Sequence, residues 1–410
     1  MSALERLSVL IVSWNGRHHL EHCLPALEAA RDGAGAEVEV LVLDNGSSDG
    51  TAAWLAAEAP WVRALASPVN LGFAAGNNRL ARSARGDVLL LLNNDTRPEP
   101  DLLRAFVAGW RAAPDDVAAL GGRLVDWEGE RLDFGAGVVT FDGHAFGLDH
   151  GRALAEARSP ESGDELLFGC GGNLLVSRRS FLECGGFDES YFAYFEDVDL
   201  GWRLWAGGER VLACPAAVAR HRQGATGDQL GDFRRGALYE RNALMTVAKN
   251  FEDGLWERML PLVLLTYLAR VEAMVATANP GGEMLRAGAP GRLPATSGAR
   301  GRLAAALRAL ARRLGPRDGR VPRLTDAQTL AQLSGLSGFL AIVGDVAAKR
   351  RQLGARRRRH DTEIFARFPL WVVPTYPGDA ELFASPAFAA WLPGDLRFVR
   401  ATLDEVMRRA

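Results

Sequence analysis

Lysine is almost missing from this chain: Lys249 and Lys349 are the only two among 48 basic residues in a sequence of 410. Cysteine is scarce too. Cys23, Cys170, Cys184 and Cys214 stand far apart with no C-x-x-C pair, which excludes a zinc ribbon or a disulfide framework and predicts small buried apolar residues in a reducing compartment. No segment repeats at a fixed period, so solenoids and propellers are excluded. No basic-then-apolar leader precedes the apolar run that begins at Leu7. The longest charge-free apolar runs of the C-terminal part, 259–269 and 331–344, fall short of the ~20 residues that cross a bilayer. A cytoplasmic protein is expected.

What is present is the balance of a folded chain with a sizeable core, 48% apolar and 24% charged. The length suits two domains. The net charge of −2 hides an asymmetry: residues 1–250 carry 35 acids against 24 bases, and residues 251–410 carry 15 acids against 24 bases.

Apolar runs at 7–14, 38–44, 62–66 and 87–92 read as strands. Helical stretches separate them: one with Leu20, Leu24 and Leu27 on a single face, one opening at Thr51, and one ending near Ala84. Strands alternating with helices at short intervals predict an α/β fold, a mostly parallel sheet with helices on both faces. Ligands of such sheets sit outside the carboxyl ends of the strands. Trp14-Asn15, Asp44-Asn45 and Asn93-Asn94-Asp95 fall at three such ends. From about 117 to 168 the pattern weakens among glycines. It returns at 173–177, continues through a helix at about 195–205, and closes with a strand at 210–214 ahead of His221. Beyond Phe251 the chain is mainly helical and alanine-rich. Its residues 279–302, with six glycines and three prolines, read as a flexible loop. The expected division is a catalytic domain over 1–250 and a basic helical region over 251–410.

Several side chains carry chemistry. Asp95 ends an apolar strand, as a metal ligand or as an ordinary turn residue. Asp44 precedes a tight loop that would suit many βα connections. Glu196-Asp197-Val-Asp199 opens a helix amid Phe192, Tyr194, Phe195 and Trp202; acids favour a first helical turn in any case, but three in four residues beside aromatics suggest an acidic site with apolar walls. Arg203, four residues after Asp199, is expected to pair with it. His221 alone suggests little.

Taken together, Val12-Ser-Trp-Asn15, Leu43-Asp-Asn-Gly-Ser-Ser-Asp-Gly-Thr51, Asn70-Leu-Gly-Phe-Ala-Ala-Gly-Asn-Asn78, Leu92-Asn-Asn-Asp95, Gly185-Gly-Phe-Asp188 and Tyr194-Phe-Glu-Asp-Val-Asp-Leu200 resemble, in order and spacing, the inverting glycosyltransferases of family 2, which have the GT-A fold. The match runs over 7–221. The resemblance implies that Asp44 contacts the nucleobase and that Ser13, Trp14 and Asn15 line its pocket. Asn70, Gly72, Asn78 and Asn94 would shape the rest of the donor site. Asp95 would be the last aspartate of a D-x-D motif that binds Mg²⁺ or Mn²⁺, and His221 the histidine completing that metal site. Asp197, beside Glu196, would be the base that deprotonates the acceptor hydroxyl. One departure stands out: Asn93 replaces the first aspartate of D-x-D, lowering the negative charge of the site, as in the rhamnosyltransferase-like branch.

The implied reaction moves one sugar, rhamnose or similar, from a dTDP-, UDP- or GDP-linked donor to a glycan or lipid-linked acceptor in bacterial polysaccharide or cell-envelope synthesis. The Gln-x-x-Arg-Trp motif of processive synthases is replaced by Trp202-Arg203-Leu204-Trp205, so single addition is expected. The run 349–360, with seven fixed positive charges and no acid, reads either as a solvated helix face or as peripheral contact with anionic lipid at ~1 kcal/mol per basic residue, on the inner face of the plasma membrane. No nucleic-acid motif accompanies it. Two alternatives remain: a sugar nucleotidyltransferase, whose usual glycine-rich loop and lysine are absent near the first strand, and a non-catalytic sugar-nucleotide-binding module.

Overall fold

The computed structural model describes residues 6–222, 230–278 and 327–407. Its centre is a nine-stranded sheet built from β1 (Arg6–Ser13), β2 (Glu37–Asn45), β3 (Arg63–Ser67), β4 (Val88–Leu92), β5 (Thr96–Pro98), β6 (Val117–Val125), β7 (Leu132–Phe134), β10 (Asn173–Ser177) and β11 (Arg210–His221). β8 (Gly137–Val139) and β9 (Ala145–Gly147) form a separate hairpin. The order is β3-β2-β1-β4-β10-β6-β11-β5, with β7 added beside β6. The β3-β2-β1-β4 half is parallel, as the alternating pattern requires. β10 then enters antiparallel to both β4 and β6.

Side chains of successive strand residues point to opposite faces, and here both faces are buried. Leu10, Leu41, Leu43, Leu89 and Leu91 join one core cluster, while Val9, Ile11, Val40, Val42, Leu90 and Leu92 join the other. The second face is covered by α1 (Arg17–Arg31), α2 (Thr51–Glu58) and α4 (Leu102–Ala112). The first is covered by α3 (Gly72–Ser83), α5 (Arg178–Glu183) and α6 (Glu196–Ala206). The sheet with helices on both faces is the expected α/β architecture. The four cysteines are free thiols.

Two stretches depart from the pattern. Within the glycine-rich segment, β6 is nine residues long and almost wholly buried. β11 continues past the expected end at Cys214 as far as His221, with a register shift against β6 between Cys214 and Val218. Pro215 falls in that shift, where a missing backbone N–H costs nothing. The bulge delivers His221 to the edge of the sheet where β4 ends.

The C-terminal part packs on the α6 side through α7 (Asp232–Asn250), α8 (Asp253–Ala278) and α9 (Ala327–Arg356). The Trp202 indole meets Phe251 and Phe365 edge-on at centroid separations of 5.1 and 5.0 Å. The loop expected over 279–302 lies outside the described residues. By length and composition, α8 and α9 are long and apolar enough to cross a membrane, longer than the charge-free runs suggest. In α8 the helix continues through Arg270 because its charge is met inside the protein. Its guanidinium pairs with Asp142 at 2.7 Å and with both oxygens of Asp379 at 2.7 and 3.0 Å, all three side chains being buried. Most of the basic run is paired within the chain: Lys349 pairs with Asp188, Arg350 with the exposed Asp253, Arg357 with Asp361, and Arg356 and Arg359 donate to main-chain carbonyls. Arg351 and Arg358 stay exposed.

Removing one partner of a buried ion pair leaves the other charge uncompensated, at a cost of about 3–5 kcal/mol. Arg270→Met is therefore expected to destabilise the chain by that amount in urea unfolding, and an unchanged midpoint would contradict the role given to this cluster.

Candidate active site

The polar ends of β1, β2 and β4 meet at one edge of the sheet and open into a single cavity of about 970 Å³. Asn94 Nδ2 donates to Ser13 Oγ at 3.0 Å, tying β4 to β1. Asn15, in left-handed backbone at φ 48°, accepts from Ser48 N at 2.8 Å, and its own N–H reaches Ser47 Oγ at 2.9 Å. Asp44 accepts from Ser47 N at 3.0 Å and is buried. Asn45 Nδ2 donates to Asn70 Oδ1 at 3.0 Å, and Asn70 Oδ1 also accepts from Gly72 N. Gly72 has φ +83°, and a Cβ there would lie 2.5 Å from the Phe192 ring. Only glycine fits.

Trp14, Asn45, Asn70, Gly72 and Asn94 line the cavity. Ser13, Asn15 and Asp44, expected at the donor site, do not line it. Asn78 does not line the cavity. It is buried in α3, where Nδ2 donates to Phe187 O and Oδ1 accepts from Phe187 N, both at 2.8 Å. It clamps the Gly185-Gly-Phe-Asp turn.

Asp95 and His221 come together although 126 positions apart in sequence: Nε2 of the imidazole lies 3.2 Å from Asp95 Oδ1. That oxygen is buried and has no other hydrogen-bond partner. The other ring nitrogen, Nδ1, lies 2.6 Å from Asp133 Oδ2. Asn93 Nδ2 is 3.4 Å from Nε2. Burial opposes a charge on His221, but Asp95 and Asp133 outweigh it and push its pKa up to about 10. Both carboxylates are held below their ordinary range: burial works against them, and the histidines overcome it. Asp133 gives no signal in the sequence, one of several acids, with Asp126, Glu128 and Glu130, in the weak segment. Among the described residues no group of three or more Asp, Glu, His or Cys side chains forms a closed cation cage. Asp95 and His221 together could hold a hard divalent cation that takes its remaining ligands from phosphate.

Across the cavity, α6 starts at Glu196, with Asp197 next. Asp197 accepts from Gly171 N at 2.9 Å and from Val198 N at 2.8 Å. Burial raises the pKa of Asp197 and, with the Asp197 charge beside it, raises that of Glu196 further. Glu196 Oε2 is buried without a partner. The expected Asp199–Arg203 pair forms at 2.8 Å within the helix.

The turn that presents these acids is strained: Phe192, Tyr194 and Phe195 all have positive φ, at 66°, 72° and 67°. Non-glycine residues hold such angles only where their surroundings impose them. Here α7 imposes them. Buried Asn242 donates from Nδ2 to the carbonyls of Tyr191, Ala193 and Tyr194 at 3.1, 2.8 and 2.8 Å, and Arg241 donates to those of Ser190 and Tyr191. An asparagine in mid-helix, a poor helix former, is the sequence signal that could have revealed this clamp.

The model of "Glycosyl transferase family 2" matches residues 8–185. An N-acetylglucosaminyl-diphospho-decaprenol L-rhamnosyltransferase from Mycobacterium tuberculosis is 32% identical over 242 residues, covering 54% of this chain and 78% of that protein. The chain belongs to glycosyltransferase family 2. It is an enzyme of the rhamnosyltransferase-like kind, and the nucleotidyltransferase alternative falls away. Among solved structures, the mannosyltransferase PcManGT from Pyrobaculum calidifontis in complex with GDP-Man and Mn²⁺ aligns with a TM-score of 0.47 at 17% identity, over 83% of this chain and 88% of that one. GalNAc-T7 with UDP, GalNAc and Mn²⁺ aligns at 0.46 and 15% identity over 63% of this chain, which spans half its length. Likenesses this distant carry no further argument.

Asn242→Ala in the transferase removes three hydrogen bonds from the strained turn, and a displacement of about 1 Å at a reacting group can cost on the order of 10²-fold. Its kcat is expected to fall roughly 10- to 100-fold while donor affinity holds within twofold, measured by steady-state kinetics alongside donor titration. A kcat within twofold of the parent would show that the clamp does not position the acids.

Proposed function

We propose that this transferase is metal-dependent and inverting, moving rhamnose or a similar sugar from a dTDP-, UDP- or GDP-linked donor to a glycan or lipid-linked acceptor in bacterial polysaccharide or cell-envelope synthesis. The observation that carries the proposal is that Asp95, His221 and Asp197 line one cavity. The mycobacterial relative's name supports the rhamnosyl donor and a sugar-diphospho-polyprenol as acceptor.

The needs of the reaction match the residues. Trp14, Asn45, Asn70 and Gly72 wall the part of the cavity beside β1 and β2, where the nucleotide would be gripped; Asp44, which does not line it, would act by fixing the loop after β2 through Ser47. Asp95 and His221 would hold Mg²⁺ or Mn²⁺, with a neutral oxygen from Asn93. When bound, the ion neutralises the departing diphosphate. Asp133, 2.6 Å from Nδ1, would hold the proton on that nitrogen, and a bound cation would displace the proton that Nε2 directs at Asp95, freeing its lone pair. Asp197 accepts the proton of the acceptor hydroxyl as that oxygen attacks the anomeric carbon from the side opposite the phosphate. One displacement inverts the centre. Glu196, with its raised pKa, stays protonated beside Asp197 and spares it a second negative charge.

Peripheral contact with an anionic membrane is part of the same reading. Its support is the exposed apolar surface of α8 and α9, Leu264, Leu268, Leu333, Leu340 and Val343, rather than the basic run. Arg351 lies eighteen residues after Leu333, and so on the same helical stripe. Flotation with anionic liposomes at low salt should carry the protein upward, and recovery only in the bottom fraction would remove this part.

A positioned base contributes ~10²- to 10⁴-fold. Asp197→Ala is expected to lower kcat by that range without loss of donor binding, and Asp95→Ala to weaken donor binding in the presence of Mn²⁺. Because a base works deprotonated, a raised Asp197 pKa means that activity is lost as pH falls through a value above the ordinary carboxylate range. The acid limb of kcat should therefore lie higher than that of a solvent-exposed aspartate. Full turnover by either variant would refute the assignment.

A further inference from the structure

The cavity runs on past Asp197 to a wall supplied by the C-terminal part, beyond the residues that the family model matches. There Glu240 of α7 is 2% exposed. Its Oε1 accepts from Tyr376 OH at 2.5 Å and lies 3.4 Å from His144 Nε2. His144 Nδ1 lies 3.1 Å from Asp142 Oδ2. Glu240 Oε2 is buried with no partner. Gln332 of α9 is 1% exposed, and both atoms of its carboxamide are likewise without partners. Buried polar atoms are satisfied in more than nine cases in ten, so three orphans from two side chains on one cavity wall need a reason. Beside them stand the rings of Tyr194 and Tyr239, 4.6 Å apart, both lining the cavity.

We propose that Glu240 and Gln332 form the subsite for the acceptor sugar. This rests on the transferase reading above and deepens it. The unmet groups are one carboxylate oxygen, which needs a hydroxyl donor, and one carboxamide, which needs a donor and an acceptor side by side. A pyranose supplies all three, through vicinal hydroxyls or through a hydroxyl beside an acetamido group, and its C–H face suits an aromatic wall. The free carboxylate oxygen selects against acidic sugars. A site built to bond a hydroxyl rejects an analogue lacking it, because its own buried groups are then left unpaired. The C-terminal helices thus complete the specificity of the catalytic cleft.

The test uses the full chain with dTDP-rhamnose, Mn²⁺ and two acceptor probes, N-acetylglucosaminyl- and glucosyl-diphospho-farnesol. Gln332→Leu and Glu240→Gln are compared with the parent for acceptor KM, for donor Kd, and for equilibrium binding of the probes beside dTDP. Both variants should raise acceptor KM and probe Kd about 10- to 100-fold with donor Kd within twofold, a loss typical of one or two buried hydrogen bonds. Gln332→Leu, which removes two unsatisfied atoms, should melt no lower than the parent, a result that a structural role would reverse. Preference between the two probes tells a diol from an acetamido ligand. Turnover by the parent with unchanged acceptor KM in both variants overturns the subsite and leaves the transferase reading intact. Probe binding lost in the variants, with no turnover by the parent, supports the subsite while the donor reading fails. A parent that binds neither probe overturns the subsite.

Discussion

The imidazole of His221 is held at both nitrogens, by Asp95 at 3.2 Å and Asp133 at 2.6 Å, and this contact ties together three separate pieces of the sheet. Asp95 follows β4, Asp133 lies in β7 on the flank of β6, and His221 ends β11. Buried charge is tolerated only where it is compensated, so each of these strands must end where the others end. The antiparallel entry of β10 between β4 and β6, and the bulge that carries β11 past Pro215, satisfy that demand. With the site anchored, the cavity has one electrostatic pole at the sheet edge and a second at the start of α6.

The acidic pole depends on a different kind of restraint. Three residues with positive φ in four positions would not hold themselves in that shape. The cost is met by α7, whose Arg241 and Asn242 gather the carbonyls of the turn, and α7 in turn packs beneath α9. The C-terminal helices therefore shape the cleft. They fix the turn before Glu196 and Asp197 from behind and extend the cleft wall in front, with Arg270 bound between Asp142 and Asp379 to hold the two parts in register.

How much of this could be read beforehand follows from where periodicity is strong. β1, β2 and β4 are unbroken apolar runs, so their polar ends pointed to Trp14 and Asp95 at the cavity, whereas at the end of β2 the lining residue is Asn45 and not the expected Asp44; the i, i+4 spacing of Asp199 and Arg203 foretold their ion pair. The direction of β10 was not legible, because pairing sense leaves no trace in a two-residue alternation. β6 was obscured by Gly121 and Gly122, and Asp133 by the other acids of its segment. Asn78 shared a motif with true cavity residues, yet it sits one helical turn deeper and clamps a turn instead. α8 and α9 are apolar nearly all round, so their sequences do not show which face meets α7, and the pairing of the basic run depends on partners such as Asp188 and Asp253 that no local pattern links to it.

The central claim is that one cleft brings a cation, a diphosphate and a base together. Soaking crystals with Mn²⁺ and dTDP and recording the anomalous difference at the manganese edge tests it directly. The account predicts a single strong peak within coordination distance of Asp95 and His221 Nε2, with the diphosphate on the same side as Asp197. A peak elsewhere, or a nucleotide bound with its phosphates away from that pair, would contradict it.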